Sequence, residues 1–447
     1  MEITIPPEVE SVRQALLKGG YEAYAVGGCV RDSLLGIRPK DWDLTTSARP
    51  GQVKKALSGF KVIDTGIKHG TVTALSGGMP VEVTTYRIDG PYSDGRHPDT
   101  VAFTDSLKQD LSRRDFTVNA LAYRPETGIV DCFGGMDDLK EKRIRCVGNP
   151  DRRFEEDGLR ILRALRFSSV LGFSIEGKTA LSLLKSLPLL DCIALERIQA
   201  EFTKLLCGKN AANVLRKFRE AAARVIPELR PCFGFDQKNP HHIYDVWEHT
   251  LHCVDAVPGV PVLRLAMLLH DIGKPLCFSE SRDGTGHFYG HAGRSAEIAV
   301  RILRRLRYDR HTVSDVCTLV RWHDVPLPPD ERFLRRRLGQ LGEKNLRLLF
   351  RVQAADVLGK SPSDRGRLDA LCRSESILDV LLSRGDCFRI KDLALNGNDL
   401  INAGIPEGAA VGKTLHTLLN AVMDGKCPNS RRELLQYADK MRKEGAG

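Results

Sequence analysis

Although the chain has twelve cysteines in 447 residues, no two stand in a C-x-x-C spacing, so neither a zinc ribbon nor a disulfide scaffold is indicated. No apolar run approaches the roughly twenty residues of a membrane span. The amino terminus lacks the charged-then-apolar pattern of a secretory signal, and no internal repeat or low-complexity tract breaks the chain. Together these absences point to reduced cysteines acting as small apolar residues, to the cytoplasm, and to no membrane association. Acidic charge is also short: 67 Lys and Arg stand against 57 Asp and Glu, a formal net charge of +10 that favours an anionic partner. At this length several small cores are expected rather than one.

The most informative stretch is Gly27-Gly28-Cys29-Val30-Arg31-Asp32, followed by Asp41-Trp42-Asp43. Glycines let a backbone approach a phosphate closely, and Arg31 offers a forked donor to phosphate oxygens. Side chains two apart on a strand share a face, so Asp41 and Asp43 can hold hard cations such as Mg²⁺ while Trp42 faces the other way. Asp-x-Asp or Gly-Gly alone is common. In this order, after the apolar run Tyr24-Ala25-Val26, they read as a triphosphate grip beside a metal clamp.

The segment from Glu155 to Phe167 reads as one amphipathic helix. Asp157, Arg160, Arg163 and Arg166 wind along one side, with Ile161, Leu162 and Leu165 on the other. Composition alone allows a solvated basic stripe. Hydrogen-bond chemistry allows more: a carboxylate only accepts and a guanidinium only donates, so Asp157 beside Arg160 would form an acceptor–donor edge. Cytosine and adenine present an amino donor next to a ring-nitrogen acceptor and fit that edge, whereas uracil and guanine present the reverse.

These segments, with Arg113-Arg114-Asp115-Phe116-Thr117-Val118-Asn119-Ala120 and Glu196-Arg197-Ile198, resemble in order the class II tRNA nucleotidyltransferases and bacterial poly(A) polymerases. The resemblance implies an α+β fold: a polymerase-beta-like head with a small mixed sheet, then all-α neck, body, HD and tail domains. It implies that Gly28 and Arg31 hold the triphosphate, Asp41 and Asp43 the Mg²⁺ ions, and Arg114, Asp157, Arg160, Arg163 and Arg166 the nucleotide. Asp115 and Asn119 would line the ribose and phosphate side, and Glu82 is the candidate third carboxylate. The implied reaction is template-independent addition of C and A from CTP and ATP to a tRNA 3′ end, with release of pyrophosphate. Full CCA addition is the first choice, with A-only addition or poly(A) synthesis as alternatives. The loop Arg87 to Pro98, rich in turn formers, is the implied determinant of the terminal A.

Further along, His249, His270-Asp271 and Asp324 resemble the HD metal-dependent phosphohydrolases, with His291 and His323 as candidates for a second metal. Neutral imidazoles with carboxylates suit a divalent transition metal or Mg²⁺ that could activate water on a phosphoester. A degenerate scaffold is the other reading. So is a chain of another class altogether, an HD phosphohydrolase whose head merely binds RNA or nucleotide.

The expected layout is a nucleotidyltransferase head over 1–145, a neck over 146–206, a body over 207–240, an HD module over 241–342 and a tRNA-binding tail over 343–447. The basic runs Arg301 to Arg307 and Arg335-Arg336-Arg337 are candidate RNA-backbone surfaces.

Overall fold

The short β-branched and aromatic runs at the start of the chain form strands, and the computed structural model, which describes residues 2–90 and 100–444, assembles them into one mixed sheet. Its strands are β1 (Ala23–Val26), β2 (Asp43–Thr46), β3 (Lys61–Gly66), β4 (Thr71–Ser76), β5 (Met79–Thr85), β8 (Leu121–Arg124) and β9 (Gly128–Asp131), in the order β3-β4-β5-β2-β1-β8-β9. A separate hairpin, β6 (Arg87–Asp89) against β7 (Val101–Phe103), accounts for the missing numbers. Only β2 and β5 run parallel; the other neighbours in the seven-stranded sheet are antiparallel. Behind it Tyr24, Val26, Tyr86, Leu111, Ala120, Ala122 and Val147 close a buried core. The expected mixed head followed by helical segments is what the chain adopts.

The molecule divides into two compact units, Met1–Pro227 and Glu228–Gly447. The division falls inside the 207–240 stretch expected as a separate body. In the first unit the head passes into helices Pro150–Glu156, Leu159–Leu171 and Leu195–Leu206. The second unit is helical apart from a two-stranded hairpin, Ser279–Glu280 with Gly286–His287. Its long helix, Glu331–Leu358, breaks at Gly342, where φ is +74°. No helix among the described residues is long and apolar enough to cross a membrane.

One expectation fails at residue 157. The single helix read over Glu155 to Phe167 is two helices: Asp157 is extended (φ −147°), and a new helix begins at Leu159. The cause is local. The Asp157 carboxylate accepts the Leu159 amide at 3.0 Å, so it caps the second helix and cannot continue the first.

Candidate functional site

The head's chemistry gathers at one end of β1 and β2. Gly27 follows β1 with φ +81°, a backbone angle that favours glycine, and a Cβ there would lie 2.8 Å from Arg114 Nη1, so any side chain would also displace that guanidinium. Gly28 opens the short helix Gly28–Leu34, leaving amides unpaired within the helix at its start. Asp43 heads β2, and the parallel register places Glu82 of β5 beside it. Asp41 is exposed, Trp42 is buried and Asp43 is half-buried, but the strand begins only at Asp43, so Asp41 and Trp42 lie on the segment before it rather than alternating along it.

Burial, then Glu82 and Asp41, push the Asp43 carboxyl up to about 6 against the opposing pull of Arg114. Oxygen-only donors with uncompensated negative charge fit a hard cation such as Mg²⁺. A cation must displace any proton on Asp43. We therefore expect the apparent Mg²⁺ affinity to weaken by about tenfold per pH unit below pH 6 and to level off above it, which titrations at pH 5, 6 and 7 would measure.

The arginines are tied together by a buried relay. Arg163 donates to Asp115 Oδ2 at 2.8 and 2.5 Å, Asn119 donates to Asp115 Oδ1 at 3.0 Å, and Arg31 in turn donates to Asn119 Oδ1 at 2.5 Å. Burial alone would raise the Asp115 carboxyl; Arg163 and Asn119 reverse that and hold it well below the usual carboxylate range. The ring of Phe167 lies beneath three guanidinia, those of Arg31 at 5.0 Å, Arg163 at 5.6 Å and Arg166 at 4.0 Å. Arg166 also pairs with Glu201. Arg114 lies 3.7 Å from Asp110, a fully buried carboxylate that also takes hydrogen bonds from Arg113 and Thr45. The sequence reading missed Asp110 and Phe167. Asp110 follows the apolar start of a helix and shows no periodic signal, and the role of Phe167 is visible only in three dimensions.

The Asp157/Arg160 edge is engaged with other partners in this structure. The two side chains leave one turn, the Arg160 amide donating to the Asp157 carbonyl at 2.9 Å. Asp157 Oδ2 accepts from Arg197 at 2.9 Å. Arg160 is buried and donates to the carbonyls of Arg153 and Arg113, at 3.0 and 3.1 Å, and to Glu156. The stripe is therefore no solvated face.

In the second unit, helices Val246–Ala256, Pro261–Leu269, His291–Arg305 and Arg310–Trp322 bring four histidines together. His249 Nδ1 meets the carbonyl of Gly359 at 3.0 Å, and those of His270, His291 and His323 meet carbonyls of Met267, Phe288 and Val320 at 2.7 to 2.8 Å. A carbonyl only accepts, so each Nδ1 carries a proton and each Nε2 faces inward, the ring orientation of a metal ligand. Nε2 of His249 lies 3.2 Å from that of His270, and Nε2 of His291 lies 3.3 Å from that of His323.

Asp271 stands between the two pairs. Its Oδ2 is 3.3 and 3.2 Å from His249 and His270, and its Oδ1 is 3.4 and 3.6 Å from His291 and His323. Both oxygens are buried without a hydrogen bond of good geometry, although Lys274 Nζ approaches Oδ2 at 2.8 Å. Such an arrangement fits a carboxylate bridging two divalent cations.

The remaining carboxylate is not the one expected. Asp324 is exposed at the rim of the cavity over this cluster, while Asp356 places Oδ1 3.2 Å from His249 Nε2 and is itself held by Lys360 at 2.6 Å. Asp356 lies within the 343–447 stretch expected as the tail. An acid in the apolar run Val352-Gln353-Ala354-Ala355-Asp356, with Lys360 one turn on, was the signal that could have found it. Cys253 is also near, but its sulfur lies 3.9 and 3.6 Å from the two ring nitrogens of His249. It therefore lies beside the ring rather than along the Nε2 lone pair.

Of the two basic runs, Arg301 to Arg307 keeps its arginines exposed. In the other, Arg335 pairs with Asp386, Arg336 with Asp424, and Arg337 stacks 4.2 Å from the Trp322 ring centre, so that run serves internal contacts.

Comparison with known proteins gives three matching family models: a poly A polymerase head domain over residues 23–145, an RNA and SrmB-binding site of polymerase A over 172–232, and a tRNA nucleotidyltransferase domain 2 over 288–438. A CCA-adding enzyme of Limosilactobacillus fermentum is 34% identical over 443 residues, 98% of this chain and 99% of its own. One from Latilactobacillus sakei is 48% identical over 224 residues, 50% of this chain and 55% of its own. The crystal structure of the Bacillus stearothermophilus CCA-adding enzyme in complex with CTP is similar at a TM-score of 0.72, with 28% identity and 99% of each chain covered. The Thermotoga maritima CCA-adding enzyme complexed with tRNA shares the fold, with a TM-score of 0.60 at 21% identity over 99% of this chain and 100% of its own.

Proposed function

This chain belongs to the family of CCA-adding enzymes and bacterial poly(A) polymerases, and on that premise we propose that it adds C and A nucleotides from CTP and ATP to the 3′ end of tRNA, releasing pyrophosphate. The observation that carries this is the convergence of Asp41, Asp43 and Glu82 at the edge of a glycine turn packed on Arg114 and followed by Arg31. Asp41 and Asp43 would hold Mg²⁺, which lowers the barrier to attack of the RNA 3′-hydroxyl on the α-phosphate and offsets the charge of the departing pyrophosphate. Arg31 is held by Asn119 and Asp32, and Arg163 by Asp115, so both guanidinia are fixed in place before a triphosphate arrives, and Arg31 would exchange part of its Asp32 pairing for phosphate oxygens. Asp157 and Arg160, which leave one turn, would present the base-reading edge once a nucleotide draws Arg160 from its carbonyl partners and Asp157 from Arg197.

Full CCA addition is the reading, rather than A addition alone or poly(A) synthesis. Of the loop expected to govern the last nucleotide, residues 91–98 lie outside the described residues; Arg87–Asp89 is its first hairpin strand. Labelled CTP and ATP offered to tRNA ending before CCA, after C and after CC test this reading directly. Deleting residues 90–98 should leave both C additions within about twofold and reduce terminal A addition by at least ~10²-fold, the scale expected when positioning is lost.

The histidine cluster supports a second activity, hydrolysis of phosphoesters. His249, His270, Asp271 and Asp356 would hold one divalent ion, and Asp271, His291 and His323 the other. Bound there, the ions would lower the pKa of a coordinated water. A head that only binds nucleotide, the reading of another class, has no use for paired carboxylates at Asp41 and Asp43.

A further inference from the structure

Resting on the phosphoester reading of the histidine cluster, we propose that this site takes esters carrying a nucleobase, with Tyr289 as the platform on which the base stacks. The cavity above the cluster is about 280 Å³ and is lined by Lys274, His291, Lys360, Asn239 and Tyr289 among others. That is the small end of ligand cavities, which run from ~300 to 1,000 Å³. It has room for a phosphate and a sugar. A further ring must lie at the mouth.

At the mouth stands Tyr289, 78% exposed, the most exposed of the large apolar side chains among the described residues. Its ring lies 5.4 Å from that of His287 at an interplanar angle of 12°, so one face is backed and the other is open. The neighbouring residue holds it in place. Phe288 turns inward against Phe235 and Phe278, with centroids 6.4 and 5.7 Å away, and its carbonyl meets the ligand-bearing ring of His291. Gly290 then turns the chain at φ +75° into the helix that carries His291.

An aromatic ring this exposed, stacked on His287 two residues before His291 of the cluster, contributes little to the core. Every base has a π face to lay on it, so stacking tolerates any of the four bases and favours an unpaired one. The acceptable substrates are therefore nucleoside phosphoesters and single-stranded RNA ends rather than simple phosphomonoesters.

The test uses the full-length protein with Mn²⁺ and 2-aminopurine riboside 3′-monophosphate, whose fluorescence is quenched on stacking, compared across wild type, Tyr289→Ala and Tyr289→Trp. We expect Tyr289→Ala to weaken binding roughly tenfold, Tyr289→Trp to keep it, and competition by inorganic phosphate to be equal in all three. Equal quenching in wild type and Tyr289→Ala overturns the platform. So does a loss of phosphate competition matching the loss of the nucleotide. Hydrolysis of the same compound is followed in parallel. If no variant hydrolyses it while quenching still depends on Tyr289, the hydrolase reading fails and the platform stands; hydrolysis with Tyr289-independent quenching has the opposite meaning.

Discussion

Asp43→Asn is expected to reduce CTP and ATP incorporation by ~10³-fold or more, since a metal clamp contributes several kcal/mol to phosphoryl transfer and each 1.36 kcal/mol is tenfold in rate. The same change should make the metal-free protein more stable. The Asp43 carboxyl is raised to about 6 in the fold from an ordinary value of 3.8. The folded state therefore favours the protonated form, and ionisation at pH 7 opposes folding by about 3 kcal/mol. That penalty is fully present above pH 6 and fades as pH falls toward the ordinary value. Asn carries no charge at any pH, so its gain in thermal midpoint should appear at pH 7 and disappear near pH 4. A variant that loses activity because it misfolds would show the opposite: a lower midpoint at both.

The second large effect concerns the histidine cluster. His270 Nε2 approaches Asp271 Oδ2, the oxygen on the His249 side, whereas Asp271 reaches the histidines of both sides. His270→Ala should lower bound transition metal by about one ion per chain and Asp271→Asn by about two, if the carboxylate bridges a pair as in two-metal sites. Both should abolish metal-dependent hydrolysis and leave nucleotide incorporation within about twofold, because separate sites add independently. Asp271→Asn also leaves Lys274 beside a neutral partner, so some loss of stability is expected there, and intact incorporation serves as the check on folding. Metal analysis of the purified variants reads the stoichiometry directly. Equal loss from both variants would mean a single ion.

What could be read in advance follows from how local each signal is. Glycine turns and strand starts depend on a few adjacent residues, and Gly27 turns the chain after β1 while Asp43 heads β2, although Asp41 and buried Trp42 precede the strand rather than alternating along it. The histidines were legible through the resemblance of His249 and His270-Asp271 to an HD motif, and the helices expected around Trp247, Leu263 and Ser314 formed. Two things were not legible. The break at Asp157 depends on a side chain capping a helix rather than continuing one, and periodicity does not register that choice. The exchange of Asp324 for Asp356 depends on which of two acids, far apart in sequence, the packing turns inward. Likewise the run Arg335 to Arg337 looked like a nucleic-acid surface until its partners Asp386 and Asp424 came into place.

The account turns on side chains at the head–neck bend choosing the nucleotide without a template. Single-turnover incorporation of each of the four nucleoside triphosphates into a tRNA transcript that ends before CCA, by wild type and by Asp157→Ala, measures that choice. We expect wild type to use CTP, then ATP, at least ~10²-fold better than UTP or GTP, the discrimination of a bidentate hydrogen-bonded edge, and Asp157→Ala to lose most of that ratio. Equal use of all four triphosphates by wild type, or a ratio that Asp157→Ala leaves unchanged, would contradict it.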